Sequence, residues 1–387
     1  MIAAGAPPGK PDCERISARD NAAMSAPAAE FQLNFLAKVE RLLATGSFTA
    51  TYKFALLIAL ANLAVELGDD SGRPLRLDLD DVAREFTRLY WNSARPYPGV
   101  NRVLNHSRTK SNAAILRLLS PHAESHGRAE DAFRRSPKET GRLIERVRRE
   151  VLCRYPLYHL QLFEARGSRE RLFDDFLYPL PSERETARIQ LRSIELRPGV
   201  AACLRTLHGV IVSMAEAAWA RWLRETNTSL GADRWLETYL FGQDRASLVH
   251  LAEPLHELQS GRCFYSGRRL AAPRDGEVDH FIPWSLYPCD SPFNLVLANP
   301  AVNRSKTDLL PSERHLQELA RRNREQAHLL VAPLPHGCGA AADERGSVEA
   351  IIRWAYGGTR RVRRYCWDGA EGGRLVEVGR GWESSLR

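Results

Sequence analysis

One stretch near the C-terminal end, residues 277–308, constrains the fold of this chain more than any other part of the sequence. The apolar residues within 278–282 predict a short buried strand, and those at 295–297 predict a second strand. Prolines interrupt the chain between these runs, so a loop must join the two strands. The composition then becomes helical, and Asn299-Pro300 is a typical helix start because proline fits the first helical turn. The sequence therefore predicts a strand–loop–strand–helix unit.

This unit contains polar residues whose chemistry suits a reaction on a phosphate. Asp279 and Asn303 are oxygen donors of the kind that bind Mg²⁺, which takes few protein ligands and keeps most of its waters. His280 can take a proton from water near neutral pH, and Arg304 and Lys306 can bind a phosphate group. One metal ion, one base and one or two cations suffice to hydrolyse a phosphodiester.

The order of these residues resembles the HNH (His-Asn-His) nuclease family, whose core is a ββα-metal fold, over roughly residues 261–312. The likeness is close to the HNH domain of the RNA-guided CRISPR effector nucleases, in which Val-Asp-His, a later Asn and Asn-Arg-x-Lys-x-Asp also occur. The resemblance implies that Asp279 binds the metal, that His280 is the general base and that Asn294 orients the loop and the base. It also implies that Asn303, where many members have a His, is the second metal ligand. It implies nothing about a guide RNA.

The predicted site therefore combines His280, Asn294 and Lys306 as catalytic residues with Mg²⁺ or Mn²⁺ as the cofactor. Asp279 and Asn303 are the expected metal ligands. Taken singly, an Asp-His pair is commonly a hydrogen-bonded surface pair, and asparagines are commonly loop caps. The prediction depends on the whole set in its order.

The chain departs from the family at the positions of a structural zinc. Many HNH domains hold zinc through two Cys-x-x-Cys pairs, and the corresponding residues here are Cys263, Ser266, Asn299 and Val302. A tetrahedral zinc site takes four Cys or His ligands, and this set contains one. We expect no structural zinc and expect side-chain packing to hold the unit together instead.

Charge and cysteine content point to the partner and the compartment. The net charge of +8 is carried mainly by arginine and favours a polyanionic partner such as DNA, with RNA left open. The seven cysteines show no ligand-like pairs, and their odd number argues against a secreted disulfide framework, so we expect a cytoplasmic protein. The polar residues within the most apolar stretch, 48–67, favour a buried helix over a membrane span, and we expect no membrane partner.

The whole chain of 387 residues is predicted to be α+β and mainly helical, with the ββα-metal HNH nuclease unit preceded by helical or mixed N-terminal and central segments. The N-terminal module is either a plain scaffold or a surface that binds DNA or a protein partner. The predicted domains are a disordered leader (1–26), a helical or winged-helix-like N-terminal module (27–120), a basic and mainly helical central segment (121–258), the HNH nuclease domain (259–330) and a C-terminal extension (331–387).

Hydrophobic periodicity predicts several elements before the nuclease unit. Amphipathic helices are expected at 31–43 and from Asp80 onwards, with a short strand at 75–79 between them. Residues 157–163 and 187–192 alternate and predict two strands that pair with each other.

A helix expected at 137–153 places arginines on one face. We call Arg142, Arg146 and Arg149 the arginine stripe. Together with Arg304 the arginine stripe could bind DNA phosphates and release counter-ions. The equally open alternative is a solvated face whose charges form ion pairs within the helix.

The first functional hypothesis is a metal-dependent DNA endonuclease of the HNH type, for which the resemblance implies a bacterial or phage-defence setting. One alternative is a nucleic-acid-binding protein that keeps an HNH-like fold without cleavage. The intact Asp-His-Asn-Asn set argues against this alternative. Another is a toxin or effector nuclease delivered by a partner, which the lack of a recognisable secretion segment weakens.

Overall fold

The most apolar segment of the chain forms the centre of the larger of two hydrophobic cores in the computed structural model. This helix, α2 (Tyr52–Leu67), is buried on all sides, as a helix without a polar face must be. Its buried polar side chains have partners: the Lys53 ammonium donates to the Leu162 carbonyl at 2.9 Å, and the Asn62 amide donates to Glu85 at 2.5 Å. The predicted buried helix is confirmed, with its start at Tyr52.

The structure describes residues 26–45, 48–109, 111–127, 129–164, 171–179, 191–231, 233–242, 245–331, 344–362, 364–369 and 373–386. Nearly all of the predicted leader therefore lies outside the described residues. The helices are α1 (Ala29–Thr45), α2, α3 (Leu79–Tyr90), α4 (Ala114–Ser125), α5 (Ala129–Arg135), α6 (Pro137–Val147), α7 (Pro156–His159), α8 (Val200–Thr206), α9 (His208–Thr226), α10 (Leu236–Phe241), α11 (Ala252–Leu258), α12 (Pro300–Lys306), α13 (Glu313–Glu325), α14 (Ala327–Val331) and α15 (Glu344–Arg361). The strands are β1 (Leu75–Asp78), β2 (Leu162–Glu164), β3 (Arg171–Phe173), β4 (Ser193–Leu196), β5 (Glu277–His280), β6 (Leu295–Ala298), β7 (Tyr365–Asp368) and β8 (Arg374–Glu377). They pair as four antiparallel two-stranded sheets among the described residues: β1–β4, β2–β3, β5–β6 and β7–β8.

Helices α1 to α10 contribute residues to the first core, and we call this part of the chain the helical module. The Asp78 side chain caps α3 by accepting the amide hydrogen of Asp80 at 2.8 Å, which satisfies an otherwise unpaired donor of the first turn. The predicted helices at 31–43 and from Asp80 and the strand at 75–79 are confirmed. The partner of β1 is β4, which lies far away along the sequence.

Two expectations in the central segment are wrong in part. The alternating pattern at 157–163 predicts one strand, but Pro156–His159 is a helical turn and only the end of the segment enters β2. Proline fits a first helical turn, and this local preference outweighs the alternation. Strand β2 pairs with β3, and most of the partner expected at 187–192 lies outside the described residues. The helix predicted at 137–153 is α-helical to Val147 and continues as a π-helical turn over Arg148–Leu152.

The second core joins the strand–strand–helix unit to the C-terminal part of the chain. It includes Phe281, Leu297, Tyr356 and Trp367. Backbone hydrogen bonds of 2.7 Å connect Trp367 in β7 to Leu310 and Ser312, which follow the unit directly. The predicted nuclease segment and C-terminal extension thus share one hydrophobic core, while the predicted domain limits stay predictions.

No single described helix is long and apolar enough to cross a membrane. Helices α8 and α9 meet the length and composition criteria only as a pair, and they are bent by 80° relative to each other.

Candidate active site

Strands β5 and β6 and helix α12 hold the residues that the sequence selects. The register of the two strands places Asp279 opposite Val296 and His280 opposite Leu295. All residues of β6 are buried, so this strand fixes β5 against the second core. Helix α12 begins at Pro300 after the Asn299 side chain, which accepts the amide hydrogen of Ala301 at 3.0 Å. The predicted strands and helix are confirmed.

Asp279 lies in a buried network with a phenol and an ammonium group. Its Oδ2 accepts a hydrogen bond from the Tyr265 hydroxyl at 2.7 Å, and the Lys306 ammonium lies 3.1 Å away. Burial, reinforced by the Asp279 charge, raises the pKa of Tyr265 well above its ordinary value, so the phenol keeps its proton. No hydrogen bond to the described residues engages Asp279 Oδ1.

Lys306 is buried, whereas its place in the sequence motif suggests a contact with phosphate. Its side chain is 1% exposed, and its ammonium donates to the carbonyl oxygen of His280 at 3.0 Å as well as facing Asp279. A buried ammonium is stable only with such partners. Lys306 therefore connects α12 to the backbone of β5, and this placement corrects the expectation of a surface phosphate contact.

Asn303 lies on α12 next to a carboxylate that the sequence analysis did not select. Its amide nitrogen donates to Glu277 Oε2 at 3.0 Å. Glu277 and Asp279 are two residues apart on β5, so their side chains leave the strand on the same face. This alternation is the sequence signal that could have found Glu277.

The three side chains Glu277, Asp279 and Asn303 offer only oxygen atoms as metal ligands. Mg²⁺ is typically held by one or two carboxylates and several waters, so this donor set fits it. Within the described ranges, no group of three His, Cys, Asp or Glu side chains is arranged to hold a metal. The fit therefore depends on the amide oxygen of Asn303 together with the carboxylates.

His280 is buried and paired with an acidic residue from the β5–β6 loop, residues 281–294. Its Nε2 lies 2.6 Å from Asp290 Oδ1, and the two side chains are 3% and 8% exposed. The Trp284 ring lies edge-on to the imidazole, with 5.4 Å between ring centroids. Asp290 has no signal in the sequence, because nothing in the local pattern of a loop shows that its side chain returns to the end of β5.

Asn294 is fully buried and connects the two ends of the β5–β6 loop. Its side-chain oxygen accepts from the Ile282 amide at 2.8 Å, and its side-chain nitrogen donates to the Cys289 carbonyl at 3.0 Å. The start of β6 is held in addition by Arg322, which donates to the carbonyls of Leu295 at 2.6 Å and Phe293 at 3.1 Å. Burial lowers the pKa of Arg322 to about 10.

The helical module holds the outer side of the same loop. The hydrogen bonds that join the two parts include those from Tyr287 to Glu66 at 2.6 Å, from Trp284 to the Phe241 carbonyl at 3.3 Å and from Arg134 to the Asp290 carbonyl at 3.3 Å. The Tyr287 ring also stacks on His208, with 5.4 Å between centroids. The loop that carries Asp290 is therefore fixed by residues far along the chain from β5 and β6.

A cleft of about 260 Å³ lies between this loop and the helical module. Trp284 and Asp290 line it from the loop, and Arg88 and Glu216 line it from the module. Burial raises the pKa of Glu216 to about 7. The cleft therefore extends to the residue that pairs with His280.

Cys263 and Asn299, two of the four positions that correspond to zinc ligands in many HNH domains, are in contact here. The Cys263 sulfur is 1% exposed and accepts the amide hydrogen of Asn299 at 3.2 Å. The amide of Phe264 donates to the Leu297 carbonyl at 3.0 Å, which attaches this turn to β6. A thiol hydrogen bond and apolar contacts thus connect the segments that zinc joins elsewhere.

The arginines predicted to bind nucleic acid are all exposed. Arg304 on α12 makes no hydrogen bond within the described residues. In the arginine stripe, Arg146 forms an ion pair with Glu150 at 3.0 Å. The neighbouring Arg148 is buried and pairs with Asp80 at 2.7 Å, so it belongs to the core.

Comparison with known proteins identifies one part of the chain. No curated protein and no solved structure matches the chain. Residues 263–312 match the model of a family described as HNH endonuclease, and this range contains the strands, the loop and the helix described above. Residues 263–312 therefore form an HNH endonuclease segment, as their sequence motif predicts.

Proposed function

We propose that the protein is a metal-dependent endonuclease that hydrolyses phosphodiester bonds in DNA. The observation that carries the proposal is the pairing of His280 with the buried carboxylate of Asp290, at the end of the strand that also presents Glu277 and Asp279. An imidazole held by a carboxylate is an arrangement that can take a proton from water.

His280 acts as the general base in this proposal. Its Nε2 is paired with the Asp290 carboxylate, and the imidazole is assigned to receive the proton of the attacking water. Asp290 then stabilises the imidazolium that forms, as a carboxylate does in other paired histidine sites. Lys306 holds the His280 carbonyl, and Asn294 holds the loop. These two residues position the base and do not contact the substrate.

Asp279 and Asn303 are the proposed ligands of Mg²⁺ or Mn²⁺, and we add Glu277 to them. When bound, the metal would stabilise the charge that develops on the phosphate and the leaving oxygen. The ammonium of Lys306 remains on Oδ2 of Asp279 and orients this carboxylate. Glu277 keeps the Asn303 amide turned towards β5.

The proposed substrate is DNA, with RNA tested beside it. The net charge of +8 favours a polyanion. Arg304 lies on the same helix as Asn303, where it can bind the phosphate backbone next to the cleavage site. The arginine stripe extends the proposed contact over the helical module. A cytoplasmic location and a defence role complete the proposal.

The direct test is Mg²⁺-dependent cleavage of a supercoiled plasmid by wild type and His280→Ala, with an RNA of similar length as the second substrate. Loss of a general base typically lowers the rate by about 10²–10⁴, while DNA binding and circular dichroism should stay unchanged. His328→Ala, which removes an exposed histidine outside the site, is the matched control. A His280→Ala rate within about threefold of wild type would remove this residue from the mechanism.

One observation favours the non-cleaving alternative. His280 is 3% exposed and Asp279 already binds an ammonium, which suits a site closed to water and metal. In that case wild type would bind DNA but would leave the plasmid intact with Mg²⁺ and with Mn²⁺. Cleavage that His280→Ala abolishes would exclude this alternative.

A further inference from the structure

Tyr265 is a buried residue of the HNH endonuclease segment that contacts a proposed metal ligand. It lies in a turn before β5 and is 4% exposed. Its hydroxyl donates to Asp279 Oδ2 at 2.7 Å. Burial raises the pKa of Tyr265 well above its ordinary value, so the phenol keeps its proton at any pH at which the protein works. The hydroxyl is therefore a permanent and neutral donor to the Asp279 carboxylate.

This contact occupies one oxygen of the carboxylate and leaves the other. The Lys306 ammonium lies 3.1 Å from the same oxygen, Oδ2, and 6.0 Å from the centroid of the Tyr265 ring. No hydrogen bond within the described residues engages Oδ1. The phenol and the ammonium thus hold the carboxylate in an orientation that leaves Oδ1 for a metal ion. Without the phenol, the carboxylate would be free to turn both oxygens towards the ammonium, which competes with a metal ion.

The ring of Tyr265 is fixed by residues that follow the matched range 263–312 in the chain. His315 on α13 and Trp367 on β7 both lie edge-on to it, each with 5.3 Å between ring centroids. These two rings stack on each other at 20°, with 5.7 Å between their centroids. Edge-to-face packing is a preferred arrangement of aromatic rings. The position of the Tyr265 hydroxyl therefore depends on the C-terminal part of the chain.

Trp367 connects the same support to the helix of the second proposed metal ligand. Its indole N–H donates to the Ser305 hydroxyl on α12 at 3.1 Å, two residues after Asn303. Trp367 is 2% exposed, so solvent does not compete for this hydrogen bond. Strand β7 thus contacts both segments that carry proposed ligands, β5 by way of Tyr265 and α12 by way of Ser305.

We propose that Tyr265 is a positioning residue of the metal site, which orients Asp279 through its hydroxyl and is itself held by His315 and Trp367. The inference rests on the proposed function, because it takes Asp279 as a metal ligand. Removal of a residue that hydrogen-bonds to a metal ligand typically weakens metal binding or activity by roughly 10- to 100-fold. Tyr265 touches neither the substrate nor the metal, so its loss should change the metal requirement and not the rate at saturating metal.

The test compares wild type with Tyr265→Phe, which removes the hydroxyl and keeps the ring between His315 and Trp367. Binding of Mn²⁺ to the full chain is followed by electron paramagnetic resonance of the free ion, a readout that needs no cleavage. We expect Tyr265→Phe to bind Mn²⁺ roughly 10- to 100-fold more weakly. It should need correspondingly more Mg²⁺ for plasmid cleavage and reach a rate within about threefold of wild type when the metal is saturating.

Tyr356→Phe is the matched control. Tyr356 is fully buried in the same core, and its hydroxyl donates to the Pro311 carbonyl at 2.6 Å without contact to Asp279. This variant should bind Mn²⁺ like wild type. Circular dichroism and the thermal midpoint of both variants show that the comparison is made between folded proteins.

The results separate this inference from the proposed function. If wild type cleaves DNA and Tyr265→Phe has the same Mn²⁺ affinity and the same Mg²⁺ titration, the inference is overturned and the proposed function stands. If wild type neither binds Mn²⁺ nor cleaves, both are overturned. Equal losses in Tyr265→Phe and Tyr356→Phe, or a loss of maximal rate that extra metal does not restore, would show a structural role and would also overturn the inference.

Discussion

Asp290→Asn is the sharpest test of the candidate active site, because it removes one charge and leaves the volume of the side chain almost unchanged. The Nε2–Oδ1 distance is 2.6 Å and both side chains are nearly buried, so solvent does not replace the interaction that this substitution removes. A hydrogen bond to a charged group contributes about 1.5–3 kcal/mol. At 1.36 kcal/mol per factor of ten, the cleavage rate should fall by roughly 10- to 150-fold.

The position of Asp290 also determines which kinetic constant should change. Asp290 contacts the base rather than the substrate, so single-turnover cleavage should slow while DNA affinity and the Mg²⁺ requirement stay constant. Asp290→Glu should restore part of the rate because it returns the carboxylate. Glu216→Gln removes a carboxyl group from the same cleft without contact to His280 and should behave like wild type.

Two results would refute this argument. If Asp290→Asn cleaves as fast as wild type, the contact with His280 has no part in the reaction. If Asp290→Asn and Glu216→Gln lose the same activity, the cleft as a whole matters and the pairing does not. Circular dichroism and the thermal midpoint of each variant separate both results from unfolding.

Three further outcomes are expected. Asn303→Ala should lose cleavage that high Mg²⁺ partly restores, whereas Asn294→Ala should lose it at every Mg²⁺ concentration, because only the former is a proposed ligand; identical metal titrations would contradict this. Replacing the arginine stripe by Gln should flatten the slope of log affinity against log salt by roughly 0.9 for each DNA phosphate that the protein no longer neutralises, and an unchanged slope would mean a solvated face. Burial raises the pKa of Glu66 from 4.5 to about 7. Between these two pH values the folded chain binds more protons than the unfolded chain, so its stability falls as the pH rises. Glu66→Gln, which can still accept from Tyr287, should therefore reduce the fall of the thermal midpoint between about pH 5 and 8, and an equal fall in both proteins would contradict the assignment.

The sequence predicts best those elements whose pattern is local. The apolar run of α2 and the strand–strand–helix unit are examples, because their periodicity and caps agree with their burial. It fails where a neighbour distant in the sequence decides the structure. Strand β1, for example, pairs with β4, which lies far away along the sequence. It also fails where two local signals conflict, since Pro156 turns an alternating segment into a helical turn.

The same distinction applies within the candidate site. Asp279 and His280 could be selected from their motif, and Glu277 from its alternation with Asp279. Asp290 could not, because its contact with His280 depends on the path of a loop. Nor does the sequence indicate that Lys306 is buried, since a lysine near the end of a short helix is usually solvated.

The hydrogen bonds between the helical module and the β5–β6 loop determine how much of the chain would have to be transferred with the HNH endonuclease segment. Residues 263–312 contain every proposed ligand and the base, yet the loop that aligns the base is supported by Glu66, Arg134 and Phe241. A graft of this segment onto a foreign scaffold would carry the reactive groups without the surface that orients them. A functional transfer of this segment to another protein would therefore have to include the facing helices or rebuild their contacts in the new scaffold.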